Sequence, residues 1–586
     1  AQNFDPAWKQ LTHSYFVQDD IKVTPRLTVN AGLRYDLPGL RSETHGGFRG
    51  FDPNVPNPAA GGRLGALVTA DATANGGIQA EYETLTRPDR SNIGPRLGFA
   101  YSLDSKTVVR GGAGLYYAPI LYGVNGSGVL TEGTAGFNTP FVPNCDTGPG
   151  CTANERSDLF LRNFRSVSPS SPTSQFIGST VDYFDENFRT GRTFQYGLDV
   201  QRELGWKFVA TLSYTGHRAS RLRSNFNRIN AIPFNALRLG PAILNRNIND
   251  VSPQERAYAS SVGVNIPANA NAVYTGFNGS VGQSLRPYPQ YNNINNVLES
   301  QGRSWYDAGT AKLERRFSNG IQFGASYTFA KLLTNASEDL LGASPTGSLI
   351  QIPGDSASLK SVSPNNAAHV FVVNYLLELP FGKGHRFFNQ SRVADFFLGG
   401  WQINGIQRYE SGLPLIIRST RNNFFGGGVA GFNTDLRPNL TGQPILTNNE
   451  YTGSRVLVFN PNAFSFPQCY DCGDVPAETI AGGAINPAYA NYFANPSRFF
   501  GNAPATLSTA RVNPFLMENV SLLKKTRLTE TVTMELGAEA FNLFNRHRFN
   551  YPTSDFIDPN FGFATVSGDP AFYAPRVIQL RVRFTY

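Results

Sequence analysis

The chain ends with Arg576-Val577-Ile578-Gln579-Leu580-Arg581-Val582-Arg583-Phe584-Thr585-Tyr586, a segment in which apolar and polar side chains alternate. Side chains leave an extended strand on opposite sides in turn, so one face of this segment is apolar and the other carries the arginines. Such a strand could form part of a sheet that has lipid on one face and water on the other. A strand of a soluble sandwich can show the same pattern, so the rest of the chain must decide between the two.

Similar alternating segments recur in pairs along the chain. Asn319-Gly320 precedes one such run, and Asn-Gly between alternating runs is the strongest short-range signal for a β-hairpin. The pairs lie at 15–35, 97–117, 194–214, around the turn 318–320, at 371–379 with a strand from Trp401, and at 520–540. The pattern therefore predicts a series of antiparallel hairpins.

Long segments of a different character separate these hairpins. They are rich in Gly, Pro, Asn and Ser, show no sustained period, and lie at 37–91, 118–191, 218–292, 332–366 and 411–515. Structureless connections beyond about 15 residues are uncommon in a compact soluble domain. Outer-membrane barrels combine short periplasmic turns with long extracellular loops, so the alternation of short and long connections favours the barrel.

Composition agrees with a β-barrel in the bacterial outer membrane. Of the 586 residues, 16% are charged and 40% are hydrophobic, and no segment has the pattern of a membrane-spanning helix. Only helices and closed barrels satisfy every backbone polar group inside a bilayer. We therefore predict an all-β, antiparallel transmembrane barrel with roughly 14 strands in this chain.

The net charge of +8 does not predict a nucleic-acid-binding protein, because no basic run interleaved with aromatic residues is present. Many basic residues instead fall on the polar faces of the predicted strands. An inward-facing basic lining would favour anionic solutes, which is a hypothesis at this stage. The arginines concerned are Arg34, Arg96, Arg110, Arg581 and Arg583.

The cysteines form two close pairs, Cys145 with Cys151 and Cys469 with Cys472, both inside predicted loops. Local disulfides are expected if these loops face an oxidising exterior. The Cys469-Tyr-Asp-Cys472 spacing also fits half of a zinc ribbon, but no second Cys-x-x-Cys lies near it. A thioredoxin-like motif would need a strand-to-helix context that this segment lacks.

The sequence carries no recognisable catalytic motif. Residues 426–431 match G-x-G-x-x-G but lie in a long Asn/Gly-rich segment, whereas a dinucleotide site requires a strand before and a helix after the motif. The histidines are scattered without H-E-x-x-H spacing, and there is no P-loop or G-x-S-x-G elbow. We expect neither enzymatic activity nor a bound cofactor or metal.

Six segments of the chain carry a family resemblance when they are taken together. They are 14–35, Arg316-Phe317-Ser318-Asn319-Gly320-Ile321-Gln322, 325–328, Glu378-Leu379-Pro380-Phe381-Gly382-Lys383-Gly384, Gly400-Trp401-Gln402-Ile403-Asn404-Gly405 and Glu539-Ala540-Phe541-Asn542-Leu543-Phe544-Asn545. Together they resemble the barrel of TonB-dependent receptors, specifically the Oar-like group with a carboxypeptidase-regulatory-like N-terminal domain. The segment 539–545 is similar to the Asn-Leu-Phe motif before the final strand of those barrels.

This resemblance implies that residues 1–586 are the C-terminal portion of a longer receptor, without its signal peptide and plug domain. Family barrels close with about 22 strands, so the remaining strands are expected upstream of Ala1, and we doubt that this portion closes alone. The terminal Phe584 and Tyr586 resemble the C-terminal signature that the barrel-assembly machinery reads, although simple lipid-facing burial would also explain them.

The resemblance also implies a function: energised uptake of a scarce solute across the outer membrane. In the family the solute binds the extracellular loops and the plug, and the TonB complex then pulls on the plug from the periplasm. Expected partners are the TonB complex, outer-membrane lipid and lipopolysaccharide, the barrel-assembly machinery and an unknown solute. Two alternatives stay open: a structural or adhesive outer-membrane protein without transport, and a soluble extracellular β-rich binding protein.

Overall fold

The computed structural model describes residues 7–118, 176–336, 350–419, 436–468, 479–565 and 575–586, apart from 225, 227, 389, 391, 453, 454 and 548. A sheet of 14 strands dominates these ranges. Thirteen strands follow one another in chain order, and the short strand Ser361–Val362 pairs with one of them from outside that path. This observation confirms the predicted all-β fold.

The thirteen strands form an antiparallel meander in which every neighbour is the next strand of the sheet along the chain. They are β1 (His13–Thr24), β2 (Leu27–Leu37), β3 (Ile93–Ser102), β4 (Thr107–Tyr117), β5 (Arg192–Glu203), β6 (Phe208–Ser224), β7 (Glu299–Ser318), β8 (Ile321–Thr334), β9 (His369–Glu378), β10 (Trp401–Glu410), β11 (Phe515–Arg527), β12 (Thr533–Phe541) and β13 (Val577–Thr585).

The register of the meander gives the sheet two different faces, because cross-strand partners share a face. Leu580 pairs with Ala538, and that row continues through Leu522 to Ile403. This apolar side is called the outer face, and its large side chains, such as Leu212, are exposed. The opposite side, which carries Arg581, is called the lumen face. The predicted alternation of lipid-facing and polar side chains is thus confirmed.

Short turns close the hairpins at one end of the strands, as predicted. Asn319 and Gly320 in the β7–β8 turn have φ angles of 51° and 75°, the left-handed conformation that a tight hairpin turn uses. The connection from β9 to β10 is longer and contains a helix, Arg392–Leu398. Connections at the opposite end are all long. By the rule for outer-membrane barrels, the short turns are periplasmic and the long connections extracellular.

The long connections pack into a layer with its own apolar cores, here called the loop layer. The largest core joins residues 232–285 to 489–500, and Ile243, Leu244 and Phe493 in it are fully buried. Two other cores join 40–85 to 184–188 and 415–464 to 507–564. The segment 218–292 had been predicted without regular structure. It contains several short helices, and β6 extends into it as far as Ser224.

The loop layer also contains short strands and helices. Its strands are Trp8–Lys9, Ser42–Glu43, Arg49–Asn57, Arg63–Thr69, Ile78–Gln79, Val181–Tyr183, Ile294–Asn296, Pro414–Leu415, Asn439–Leu440, Leu446–Thr452, Arg455–Phe459, Phe464–Ser465, Ile480–Ala481, Ala484–Ile485, Leu507–Arg511 and Phe563–Thr565. Its α-helices are Ala72–Asn75, Gly240–Leu244, Pro253–Ser261, Ala270–Val273, Val281–Ser284 and Pro487–Phe493. Within the described ranges no helix has the length and apolarity to cross a bilayer.

The sheet is open between its first and last strands. Among the described residues β1 and β13 pair with β2 and β12 respectively but not with each other. Every residue of both strands is exposed to solvent. Open strand edges leave backbone donors and acceptors unpaired, which is costly inside a bilayer.

The Asn542-Leu-Phe-Asn545 segment fastens the upper end of β12. Asn542 and Asn545 both adopt a left-handed φ of 50°. The Asn542 side chain accepts a hydrogen bond from the Arg546 backbone and donates one back to the Arg546 carbonyl. Arg546 also binds the buried Glu518 carboxylate at 2.8 Å. The motif is therefore a turn that locks β11 to β12.

Candidate lumen site and loop clamp

A first hollow of about 470 Å³ opens on the lumen face across β1 to β6. Its floor is a row of glycines, because Gly98 pairs with Gly112, and Gly112 pairs with Gly197. A Cβ added at any of the three would meet its nearest atom at 3.2 to 3.5 Å. At Gly98 this is an ordinary contact, whereas at Gly112 and Gly197 the 3.3 and 3.2 Å distances to backbone carbonyl oxygens are tight and favour glycine. The missing side chains are what leave the space open.

Polar side chains surround the glycine floor of the first hollow. Arg110 donates to the Gln201 side chain at 3.0 Å and is the cross-strand partner of Asp199. The Arg96 guanidinium lies 4.6 Å from the centre of the Tyr116 ring. Among the described residues neither arginine forms an ion pair. The hollow can therefore offer several hydrogen-bond donors and acceptors to a polar solute.

A second hollow of about 380 Å³ opens on the same face between β8 and β12. It combines polar side chains with apolar ones, among them Ile406 and Phe541. The Asn404 side-chain oxygen is buried and has no hydrogen-bond partner within the described part of the chain. The polar lining residues are Gln322, Asn374, Asn404, Asn519, Ser521 and Glu539.

The basic lining expected from the sequence is partly neutralised. Arg34 is paired with Asp36 at 2.8 Å, and Arg581 is paired with Glu535 at 2.7 Å and with Glu539 at 3.5 Å. Two of the five arginines therefore have their charge balanced locally. The structure gives little support to a lumen face that is uniformly basic.

A buried carboxylate, Asp89, ties two connections of the loop layer to each other and to the end of β6. It accepts hydrogen bonds from the Thr190 backbone at 3.1 Å and from the Arg189 side chain at 3.2 Å. Arg221, near the end of β6, lies 3.9 Å away. Burial alone would raise the pKa of Asp89, but hydrogen bonds from Ser91, Thr190 and Arg189 outweigh it and lower the pKa below its ordinary value.

The residues singled out from the sequence do not converge on either hollow. Phe584 lies on the outer face beside Met534, and Tyr586 is 97% exposed at the chain end. Both positions are consistent with side chains that face lipid. Recognition of Phe584 and Tyr586 by the barrel-assembly machinery stays a prediction. The predicted disulfides and the glycine-rich segment 426–431 lie outside the described residues. The cysteines concerned are Cys145, Cys151, Cys469 and Cys472.

The glycine floor is the feature that sequence reasoning missed. Glycines on the polar side of β3 and β4 are visible in the sequence, but only the register places Gly98, Gly112 and Gly197 side by side. In the described ranges no group of three or more His, Cys, Asp or Glu side chains is placed so that it could hold a metal ion.

An antiparallel meander with an exposed apolar outer face and a polar inner one defines a transmembrane β-barrel of the bacterial outer membrane. The family model described as "Outer membrane beta barrel domain" matches residues 1–579. The chain belongs to this family, and its place is the outer membrane. A search of curated proteins returns no match.

Solved structures similar to this chain include outer-membrane transporters and receptors. The transporter YddB from Escherichia coli is 10% identical, with 99% of this chain and 55% of YddB covered and a TM-score of 0.38. The ferric-catecholate import receptor Fiu from E. coli K12 is 10% identical, with 99% and 45% covered and a TM-score of 0.36. The siderophore receptor PirA from Acinetobacter baumannii is 11% identical, with 98% and 45% covered and a TM-score of 0.37. The chain thus spans about half the length of these proteins.

Proposed function

We propose that this barrel belongs to a TonB-dependent, Oar-like receptor that imports a scarce solute across the outer membrane. The observation that carries the proposal is the lumen face, a polar surface with two hollows on a sheet whose other side is apolar. The interior of an outer-membrane barrel is polar where water or a plug fills it, and the two hollows give a polar solute or a plug places to bind. The motif resemblance at 14–35, 378–384, 400–405 and 539–545 supports the same assignment.

The open sheet supports the proposal that residues 1–586 are the C-terminal portion of the receptor barrel. Both edges, β1 and β13, would face hydrocarbon with unpaired backbone groups unless further strands cover them. In this proposal those strands and a plug domain belong to the same receptor. The plug would occupy the lumen against the polar face.

The proposed partners follow from this arrangement. The TonB complex would act through the plug, and lipid and lipopolysaccharide would surround the outer face. The barrel-assembly machinery would read the terminal strand that ends in Phe584 and Tyr586. No feature of the described residues suggests catalysis, and we propose no enzymatic role, cofactor or nucleic-acid partner.

Solute depletion by cells tests the proposal. Cells with and without the gene are given a defined mixture of ferric chelates, oligosaccharides and peptides, and mass spectrometry follows what disappears from the medium. We expect at least one solute to be depleted only when the gene is present and the proton motive force is intact. Depletion that survives a protonophore, or no depletion at all, would contradict energised uptake.

The glycine floor provides a matched pair of variants for the same assay. Gly112→Leu places a bulky side chain in the first hollow, whereas Ala113→Leu adds a similar side chain on the outer face of the same strand. We expect Gly112→Leu to reduce energised depletion while Ala113→Leu leaves it unchanged. If the two substitutions had equal effects on depletion, the first hollow would not lie on the path of the solute.

The packed loop layer favours a second candidate, a structural or adhesive role without transport. Its cores bury large side chains such as Tyr489, Phe493 and Phe499, so the loop layer is packed well enough to present a stable binding surface. Binding of gene-positive cells to other cells or matrix, without solute depletion, would select this candidate. The soluble alternative is wrong, because the chain belongs to an outer-membrane barrel family and exposes a continuous apolar face.

A further inference from the structure

The connection between β9 and β10 exposes an unusual amount of apolar surface at the periplasmic end of the barrel. Its helix Arg392–Leu398, here called the periplasmic helix, leaves Val393 69% and Phe397 62% exposed. Phe387, Phe388 and Phe396 in the same connection are also exposed. Transfer of apolar side chains of this size from water to an apolar medium is favourable. This surface is therefore poorly suited to water.

The exposed side of the periplasmic helix is fixed by contacts on its opposite side. With about 3.6 residues per turn, Val393, Phe396 and Phe397 share one side of the helix and Asp395 lies on the other. The Asp395 carboxylate accepts a hydrogen bond from the Lys383 backbone at 2.6 Å. A Cβ on Gly382 would lie only 2.4 Å from that carboxylate, so the close approach requires glycine. The apolar side is consequently held outward.

The end of the helix joins the lipid-facing surface of the barrel. Trp401 and Lys524 are cross-strand partners on the outer face, at the periplasmic ends of β10 and β11. The Trp401 indole donates to the Phe397 carbonyl at 2.9 Å, and the Lys524 ammonium donates to the Gly399 carbonyl at 2.8 Å. Trp marks the membrane–water interface in barrels, and Lys extends its charge towards it. The apolar side thus continues an established lipid-facing surface.

Basic residues flank this apolar surface. Lys383 and Arg386 are both exposed, and the Arg386 guanidinium lies 5.4 Å from the centre of the Phe387 ring. Aromatic side chains on one side and Lys or Arg beside them are typical of helices that lie in a membrane interface. We propose that the periplasmic helix and residues 387–388 insert into the inner leaflet of the outer membrane. Phospholipid acyl chains cover the aromatic side chains, and Lys383 and Arg386 meet headgroup phosphates.

Photo-crosslinking of the full-length protein to lipid tests this insertion. Benzoylphenylalanine replaces Phe397 or, in a second variant, Val393, and the protein is reconstituted in phosphatidylethanolamine–phosphatidylglycerol vesicles that contain an alkyne-tagged phosphatidylethanolamine. Leu212 on the outer face and Tyr451 in the loop layer are control positions with exposures of 63% and 69%, close to those of the test positions. Retention of heat-modifiable migration on a gel shows that each variant is folded.

We expect lipid crosslinking at Phe397 and Val393 to match that at Leu212 and to exceed that at Tyr451 about tenfold, because interfacial side chains contact acyl chains. Yields at both test positions equal to the Tyr451 yield would overturn the proposal and would place this surface in water or against a periplasmic protein. The outcome is independent of whether the barrel transports a solute.

Discussion

The contacts of Asp89 predict that its replacement opens the loop layer locally. The side chain is almost fully buried and accepts hydrogen bonds from the Ser91 and Thr190 backbones. Asp89→Ala leaves the buried Thr190 N–H without a partner and also removes the partner of Arg189. An orphaned buried donor costs about 1 to 3 kcal/mol, and a hydrogen bond to a charged group contributes about 1.5 to 3 kcal/mol. Arg189 is more than half exposed, so its share is smaller.

With the Arg189 contribution reduced to about 1 kcal/mol because of its exposure, the expected loss in local opening free energy for Asp89→Ala is about 2 to 4 kcal/mol. Asp89→Asn keeps one acceptor of nearly the same shape, so we expect a loss of about 1 to 2 kcal/mol. Since about 1.4 kcal/mol corresponds to a tenfold change, amides near Thr190 should exchange with deuterium about 30 to several hundred times faster in the alanine variant. Hydrogen–deuterium exchange of peptides covering 186–192 measures this directly.

Asp185→Asn is the matched control, because Asp185 caps only the neighbouring Asn187 backbone at 2.9 Å. Its exchange pattern should stay close to that of the unsubstituted protein. If Asp89→Ala exchanged no faster than this control, Asp89 would not be the fastening point that its contacts indicate.

The lowered pKa of Asp89 gives the same site a pH dependence. A carboxylate whose pKa is lower in the folded state stabilises that state above the unfolded value of about 3.9, and the contribution is lost as the pH falls through the folded value. We expect protection near Thr190 to be constant from about pH 7 to 5 and to weaken below about pH 4. Asp89→Asn should lack this weakening.

Three further predictions follow from the loop layer and the end of β12. Glu255 is fully buried, completes the capping box with Ser252 and binds Arg246 at 3.2 Å. Glu255→Ala should therefore lower the free energy of local unfolding by about 3 kcal/mol, and Glu255→Gln should lower it less. The rate of local proteolysis measures the difference. Asn542→Ala should cost about 1 to 2 kcal/mol in urea unfolding of the reconstituted barrel, because alanine disfavours the φ of 50° and loses the side-chain bonds. Alkylation without reduction should label none of the cysteines, and labelling of all of them would exclude the loop disulfides at Cys145, Cys151, Cys469 and Cys472.

Local patterns predicted the barrel strands because the period of two is a property of neighbouring residues. The terminal strand and the Asn319-Gly320 turn lie where the sequence indicated them. The loop layer could not be predicted in this way, because its contacts join distant parts of the chain. The Tyr489 hydroxyl donates to the Leu239 carbonyl at 2.7 Å across 250 positions, and no local period reports such a partner.

The two hollows could not be predicted from local patterns either, because their shape depends on which residues the cross-strand register brings together. Gly98 and Gly197 belong to strands on either side of β4 and meet only through Gly112. Their alternation with apolar residues predicted a polar lumen face but not an open floor. The periplasmic helix was hidden for another reason: its aromatic residues lie in a segment that the sequence marked only as a connection between two strands.

The direction of the strands limits how this barrel can close. In a meander of thirteen antiparallel strands the first and the last run the same way, and both β1 and β13 run towards the periplasmic end. If β1 paired with β13 directly, the two strands would be parallel. The β1 strand of a second copy inserted in the same orientation would also be parallel to β13. Antiparallel closure therefore requires an odd number of additional strands, the first and last of which run outward. About nine additional strands would bring the total to about 22, the number of strands in the barrels of the family that the motifs resemble.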